Sequence, residues 1–270
     1  MYLFLLILPL AWLFSLHGRR GHPGLPALRG WRYAHRGLHG ASRPENSMAA
    51  FQAALKNGCG IELDVHLTRD GELAVVHDSD LRRVTGQPGI VEELTVSQLS
   101  GYRLEGTAET LPLFSQVLSL FDGKAPLIVE LKTRNGNHAA LTDRVMAELK
   151  HYPGVYCVES FDPRCIRHLK KHYPQVIRGQ LSENFLKRDK SYPFPARLLL
   201  TGLCCNFLTS PDFIAYRFSD RHRPGVFLAR HLWGLQGVAW TLQTPEQQAQ
   251  AIQSGWLPIF ENPPADSNRK

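Results

Sequence analysis

The sequence predicts an α/β protein of the (β/α)8 TIM barrel class, preceded by a short N-terminal hydrophobic membrane segment. About eight short apolar runs alternate with amphipathic segments over roughly 230 residues, the pattern of a parallel sheet with helices outside it. No GxGxxG or Walker loop follows any of these runs, which argues against the main alternative, a doubly wound open sheet. The 270 residues, 43% hydrophobic and 20% charged, supply a sizeable core and exclude a disordered chain. Residues 1–17 are expected to be a membrane anchor, 18–30 a linker and 31–265 the barrel domain.

The elements follow in order. MYLFLLILPLAWLFSLH is almost wholly apolar. As a helix its residues 2–16 extend roughly 22 Å at ~1.5 Å per residue, short of a ~30 Å hydrocarbon core. It lacks the basic n-region and small-residue cleavage site of a secretory signal, so an uncleaved anchor is expected. Arg19, Arg20, Arg29 and Arg32 all flank its C-terminal side, so the body is expected in the cytoplasm by the positive-inside rule. After a Gly/Pro-rich joint, 32–35 reads as the first strand, and Met48, Phe51 and Leu55 recur at helical spacing behind the capping residues of Pro44-Glu45-Asn46-Ser47. Strands at 61–67 and 72–77 flank an Asp70-Gly71 turn. Further strands are expected at 127–131, 155–160, 176–180, 203–207, 237–242 and 257–261, with helices at 111–121, 139–150, 163–172, 211–218 and 245–254.

Charge narrows the company this chain keeps. With 31 basic against 24 acidic residues the net charge is +7, which favours phosphorylated substrates or membrane surfaces. No block of like charges or basic-aromatic repeat points to nucleic acid, and none is expected as a partner. The five cysteines lack zinc-site spacing and read as ordinary thiols in a reducing compartment.

The chemistry gathers in IELDVHLTRDGELAVVHD at 61–78. A strand alternates its faces, so Ile61, Leu63 and Val65 face the helices while Glu62, Asp64 and His66 face the barrel interior. Two carboxylates roughly 6.6 Å apart repel by about 2.5 kcal/mol at an effective dielectric of ~20. A structural salt-bridge pair is one answer to that repulsion. A third acid shifts the balance: Glu130 and Lys132 share one face of the strand LIVELK. Three carboxylates suit one hard divalent cation, Mg²⁺ or Ca²⁺. His35 and His77 each close a strand, where barrel active sites collect. One such histidine alone is more often structural; two beside three acids suit proton transfer near neutral pH. Arg36 and Lys132 add positive charge fitted to phosphate oxygens.

HRG at 35–37, PENS at 44–47, IELDVHLTRDG at 61–71, VVHD at 75–78 and IVELK at 128–132 resemble, in order and spacing, the glycerophosphodiester phosphodiesterase family. AWTLQ at 239–243 resembles the family's late Trp-Thr strand, and IFENP at 259–263 its last strand. The resemblance implies a barrel that binds one divalent cation and releases glycerol 3-phosphate and an alcohol. By position, it implies Glu62, Asp64 and Glu130 as metal ligands, His35 and His77 as the acid/base pair, and Arg36 and Lys132 as phosphate contacts. Glu45, His66 and Trp240 are expected in supporting places. Gln243 stands where Asn is usual and Phe260-Glu261 where Thr-Asp is common, and 181–235 matches poorly, so the alcohol subsite is the least defined part. Two other functions fit the same residues: a lysophospholipase D-like enzyme acting on lysophospholipids at a bilayer, and a membrane-tethered binding protein without activity.

Overall fold

The computed structural model describes residues 2–188 and 191–261. Helix α1 (Tyr2–Ser15) and a 3-10 turn at Leu25–Leu28 come first. Next are β1 (Tyr33–His35), α2 (Met48–Lys56), β2 (Gly60–Leu67) and β3 (Leu73–Val75), then two single-turn helices, α3 (Arg82–Thr85) and α4 (Val96–Leu99). Regular alternation sets in with α5 (Phe114–Phe121), β4 (Leu127–Leu131), α6 (His138–Leu149), β5 (Tyr156–Ser160), α7 (Pro163–His172) and β6 (Arg178–Ser182). An excursion holding α8 (Phe185–Arg188), α9 (Phe194–Thr201) and α10 (Asn206–Thr209) precedes β7 (Phe213–Arg217). The remaining elements are α11 (Pro224–His231), β8 (Gln236–Leu242), α12 (Pro245–Gln253) and β9 (Trp256–Phe260).

Eight strands pair in parallel in the order β1-β2-β4-β5-β6-β7-β8-β9, and β9 closes the ring on β1. β3 is antiparallel to β2 and stands outside the ring. Helix starts are set by short polar caps: Ser47 Oγ accepts from Ala50 N at 3.1 Å, and Asp162 and Thr244 do the same work ahead of a proline. Alternation then builds two apolar layers. Ile61, Leu63 and Val65 pack outward with Phe51 and Phe114 beneath the helices. Ile128, Phe213, Val238 and Ile259 fill the barrel interior.

Two expectations are corrected. The run at 203–207 is not a strand but spans the turn after α9 and the start of α10, and 211–218 is not a helix but holds β7. Phe213, Ile214, Ala215 and Tyr216 are all buried, so this strand carries no polar face to reveal a period of two. The predicted helix at 111–121 begins only at Phe114, because Pro112 lends its carbonyl to Val75 N instead.

The N-terminal stretch packs in part on the barrel. Helix α1 has 14 residues with Pro9 inside it, and among the described residues no helix is long and apolar enough to cross a membrane. Its C-terminal end leans on the barrel: Leu16 is fully buried, and Trp233 Nε1 donates to Leu13 O at 2.9 Å. Residues 18–30, expected to be a linker, lie across the barrel floor. Arg19 pairs with the buried carboxylate of Asp212 at 2.5 Å, and Leu25 and Leu28 join the interior layer. Tyr33 Oη donates to Leu28 O at 2.7 Å, tying this plug to the start of β1. Residues 262–265 of the expected domain lie outside the described residues.

Candidate active site

Register places the acids. Pairing sets His35 beside Glu62, Asp64 beside Glu130, and Glu130 beside Glu159 across three strand pairs. Glu62, Asp64 and Glu130 are buried, with ligand oxygens that all lie within 4.8 Å of one another. Burial first, then the neighbouring carboxylates, push Glu62 and Glu159 well above the usual range. Burial also drives Glu130 up to about 7, despite Lys132. Burial opposes ionisation of Asp64 too, but Lys132, His77 and Arg36 outweigh it and hold its pKa low. Carboxylates crowded in this way call for more positive charge than two side chains provide. Three buried oxygen donors at this spacing can hold one divalent cation.

Both cations are built into the same cluster. Lys132 Nζ donates to Glu130 Oε1 at 2.8 Å and lies 3.1 Å from Asp64 Oδ1. Arg36 Nε is 3.4 Å from Asp64 Oδ2, and its Nη1 donates to Glu45 Oε1 at 2.9 Å. The Arg36 backbone sits at φ +53°, a left-handed turn that aims its own N–H at Glu62 Oε2, 3.2 Å away. Gly37 follows at φ +80°, and a Cβ there would come within 2.9 Å of Ala50 and the Phe51 ring. The spacing of HRG is therefore a packing requirement as well as a chemical one.

Each strand-end histidine is backed by a carboxylate. His35 Nδ1 donates to Glu261 Oε1 at 2.6 Å, leaving Nε2 at 3.8 Å from Glu62 Oε2. His77 Nδ1 donates to Asp78 Oδ1 at 2.6 Å. The Asp78 carboxylate is held in turn by Arg83, which also pairs with Glu45 at 2.6 Å. Burial lowers the pKa of both imidazoles, that of His77 to about 4. The hydrogen bond from His35 pulls Glu261 down to about 2.

The structure brings His35, His77, Glu62, Glu130, Arg36 and Lys132 to one cavity of about 790 Å³ at the C-terminal rim, with Asp64 buried directly beneath. Trp240 lines the same cavity, with its ring edge-on to Phe161 and beneath Arg217. Glu45 sits behind Arg36 rather than in the cavity. His66 is 3% exposed and braces the loop, bonding Glu92 at 2.7 Å and lying 3.2 Å from the His77 carbonyl oxygen. A second groove of about 730 Å³ shares His77, Glu130, Lys132 and Phe161 with the first, and Ala196, Leu199 and Leu200 of α9 form one of its walls.

Sequence reasoning missed Glu261, Asp78 and Glu159 as site residues. Glu159 carried a signal as a single acid inside the run CVES that repeats the pattern of Glu130, while Asp78 and Glu261 stand within the motifs VVHD and IFENP. Glu159 Oε2 is buried without a hydrogen-bond partner beside the cavity. All five cysteines are free thiols.

Imidazoles and cations set around buried acids at the mouth of a parallel barrel make this a phosphoric diester hydrolase. Residues 35–265 match the glycerophosphoryl diester phosphodiesterase family, and the chain belongs to it. A glycerophosphodiester phosphodiesterase of Bacillus altitudinis is 36% identical over 171 residues, 59% of this chain and 69% of that one. The glycerophosphodiester phosphodiesterase structure from Agrobacterium tumefaciens is 25% identical, with a TM-score of 0.64 over 86% of this chain and 95% of its own. An Oleispira antarctica phosphodiesterase solved with its product sn-glycerol-3-phosphate shares the fold at a TM-score of 0.72 and 21% identity, over 87% and 94% of the two chains.

Proposed function

We propose that this barrel hydrolyses glycerophosphodiesters to glycerol 3-phosphate and an alcohol, with His35 and His77 moving the protons. The observation that carries this reading is the pair of carboxylate-backed imidazoles lining the same cavity as the buried acids. With Nδ1 occupied, each ring keeps Nε2 for the reacting oxygens. One imidazole takes the proton of the attacking hydroxyl or water, and the other delivers a proton to the departing alcohol oxygen. Both rings rest neutral because they are buried, and an arriving phosphate anion raises the pKa of an imidazole beside it.

Arg36 and Lys132 bind the non-bridging phosphate oxygens and orient the diester for displacement. Glu62, Asp64 and Glu130 would hold a divalent cation, Mg²⁺ or Ca²⁺, which when bound supplies Lewis-acid stabilisation of charge on phosphate. The test is release of glycerol 3-phosphate from glycerophosphocholine, glycerophosphoethanolamine and glycerophosphoglycerol, with and without EDTA. Activity should be lost in EDTA, and His35→Ala or His77→Ala should each lower kcat by about 10²- to 10⁴-fold. No EDTA-sensitive product from any of the three, or a His35→Ala variant equal to the parent, would overturn the reading.

A further inference from the structure

Most large apolar side chains left exposed among the described residues lie in one region. Helix α1 shows Ile7, Leu8, Leu10 and Phe14 to solvent. Helix α9 adds Phe194 and Leu198, and α10 adds Phe207 and Leu208. These helices are neighbours. Trp12 of α1 lies against Gly202, which ends α9, where a Cβ would sit 3.7 Å from the indole nitrogen. Asn206, at the start of α10, donates Nδ2 to Leu16 O at 3.3 Å. Trp233, just past α11, reaches Leu13 O and adds the exposed Leu232 to the same edge. An exposed apolar face of this kind on a folded domain marks an interaction surface.

Its charge is one-sided. No Asp or Glu occurs in α1, α9 or α10. Cations are interleaved with the apolar side chains instead. Lys170 Nζ donates to the carbonyls of Phe207 and Leu208, at 3.4 and 3.1 Å. Arg20 lies over the Trp233 ring, 5.5 Å from its centroid, and Arg197 lies over Phe194 at 5.8 Å. Apolar side chains ringed by long basic ones suit a boundary that is oily within and anionic at its rim. A second copy of the chain fits poorly, since a symmetric pairing would set the same cations opposite one another. A spanning helix fits poorly as well, since α1 has 14 residues and already packs on α10 and Trp233.

We propose that α1, α9 and α10 together form a docking face for an anionic lipid bilayer, which the protein enters in the plane of the headgroups without crossing it. The N-terminal segment is then one third of a composite face rather than an independent anchor. This inference is independent of the reaction proposed above.

The full chain is tested by co-sedimentation with phosphatidylcholine vesicles with and without phosphatidylglycerol. Binding to the anionic vesicles is expected, weakening with salt and reversed by a sodium carbonate wash. The body variant F194Q/L198Q/L208Q leaves α1 intact and should lower affinity by about tenfold or more. Arg20→Ala, Lys170→Ala and Arg197→Ala should each cost about fivefold on anionic vesicles only. Unchanged thermal melting of each variant shows that the fold survives. Carbonate-resistant binding indifferent to the body variant would overturn the proposal in favour of a spanning anchor. Failure to bind either vesicle would overturn it outright, as would a lipid-free dimer that the body variant dissolves without changing vesicle binding.

Discussion

Lowering the pH from about 7.5 to about 5.5 should weaken divalent-cation binding by roughly 25-fold, because a proton competes for Glu130. Burial pushes this carboxyl up to about 7 in the cation-free protein, against an ordinary value of 4.5. A cation needs the ionised form, so binding must expel that proton. The cost rises toward tenfold per pH unit once the pH falls below about 7, and Glu62, also raised, can only steepen the dependence. The sign for folding is opposite. An acid whose pKa is raised on folding favours the native state at low pH. The cation-free fold should therefore lose about 3 kcal/mol as pH rises from 4.5 through about 7, and bound cation should restore it. Titration calorimetry with Mg²⁺, Ca²⁺ and Mn²⁺ in two buffers of different protonation enthalpy measures both affinity and protons released. At least about one proton should be released near pH 6, from Glu130 with any further share from Glu62. Affinity that stays flat across this range, with no proton released, would refute the reasoning and remove the acid cluster as the cation's seat.

Two further changes test the scaffold. Gly37→Ala forces a Cβ into Ala50 and Phe51 at a left-handed turn, and urea unfolding should register a loss of about 3 kcal/mol. Arg19→Ala strands the buried Asp212 carboxylate, and a loss of about 3 kcal/mol is expected in the same assay. A variant as stable as the parent would mean that residues 18–30 are not docked on the barrel floor in solution.

The barrel was legible where one face of a strand is polar and the other apolar, as in β2 and β4. It was not legible in β7, whose side chains are buried on both faces and whose apolar run fits a helix as well as a strand. The acid cluster was readable for a related reason: Glu62, Asp64 and Glu130 are charges set into strands that otherwise favour apolar residues. Their supports were hidden because they depend on closure of the ring. His35 and Glu261 are 226 positions apart and meet only because β9 pairs with β1. Gln243 and Glu261, each a departure from the family pattern, bond to one another at 2.8 Å, so two isolated oddities in the sequence form one contact in the fold. The N-terminal stretch was legible only in part. Its apolar character was plain, but only packing shows that part of that surface is spent on the barrel.

Leu25 and Leu28 extend the interior apolar layer at one end of the barrel, away from the mouth that holds the site. At that mouth the two grooves meet along a shared wall of His77, Glu130, Lys132 and Phe161. A ligand seated against that wall would face two channels rather than one.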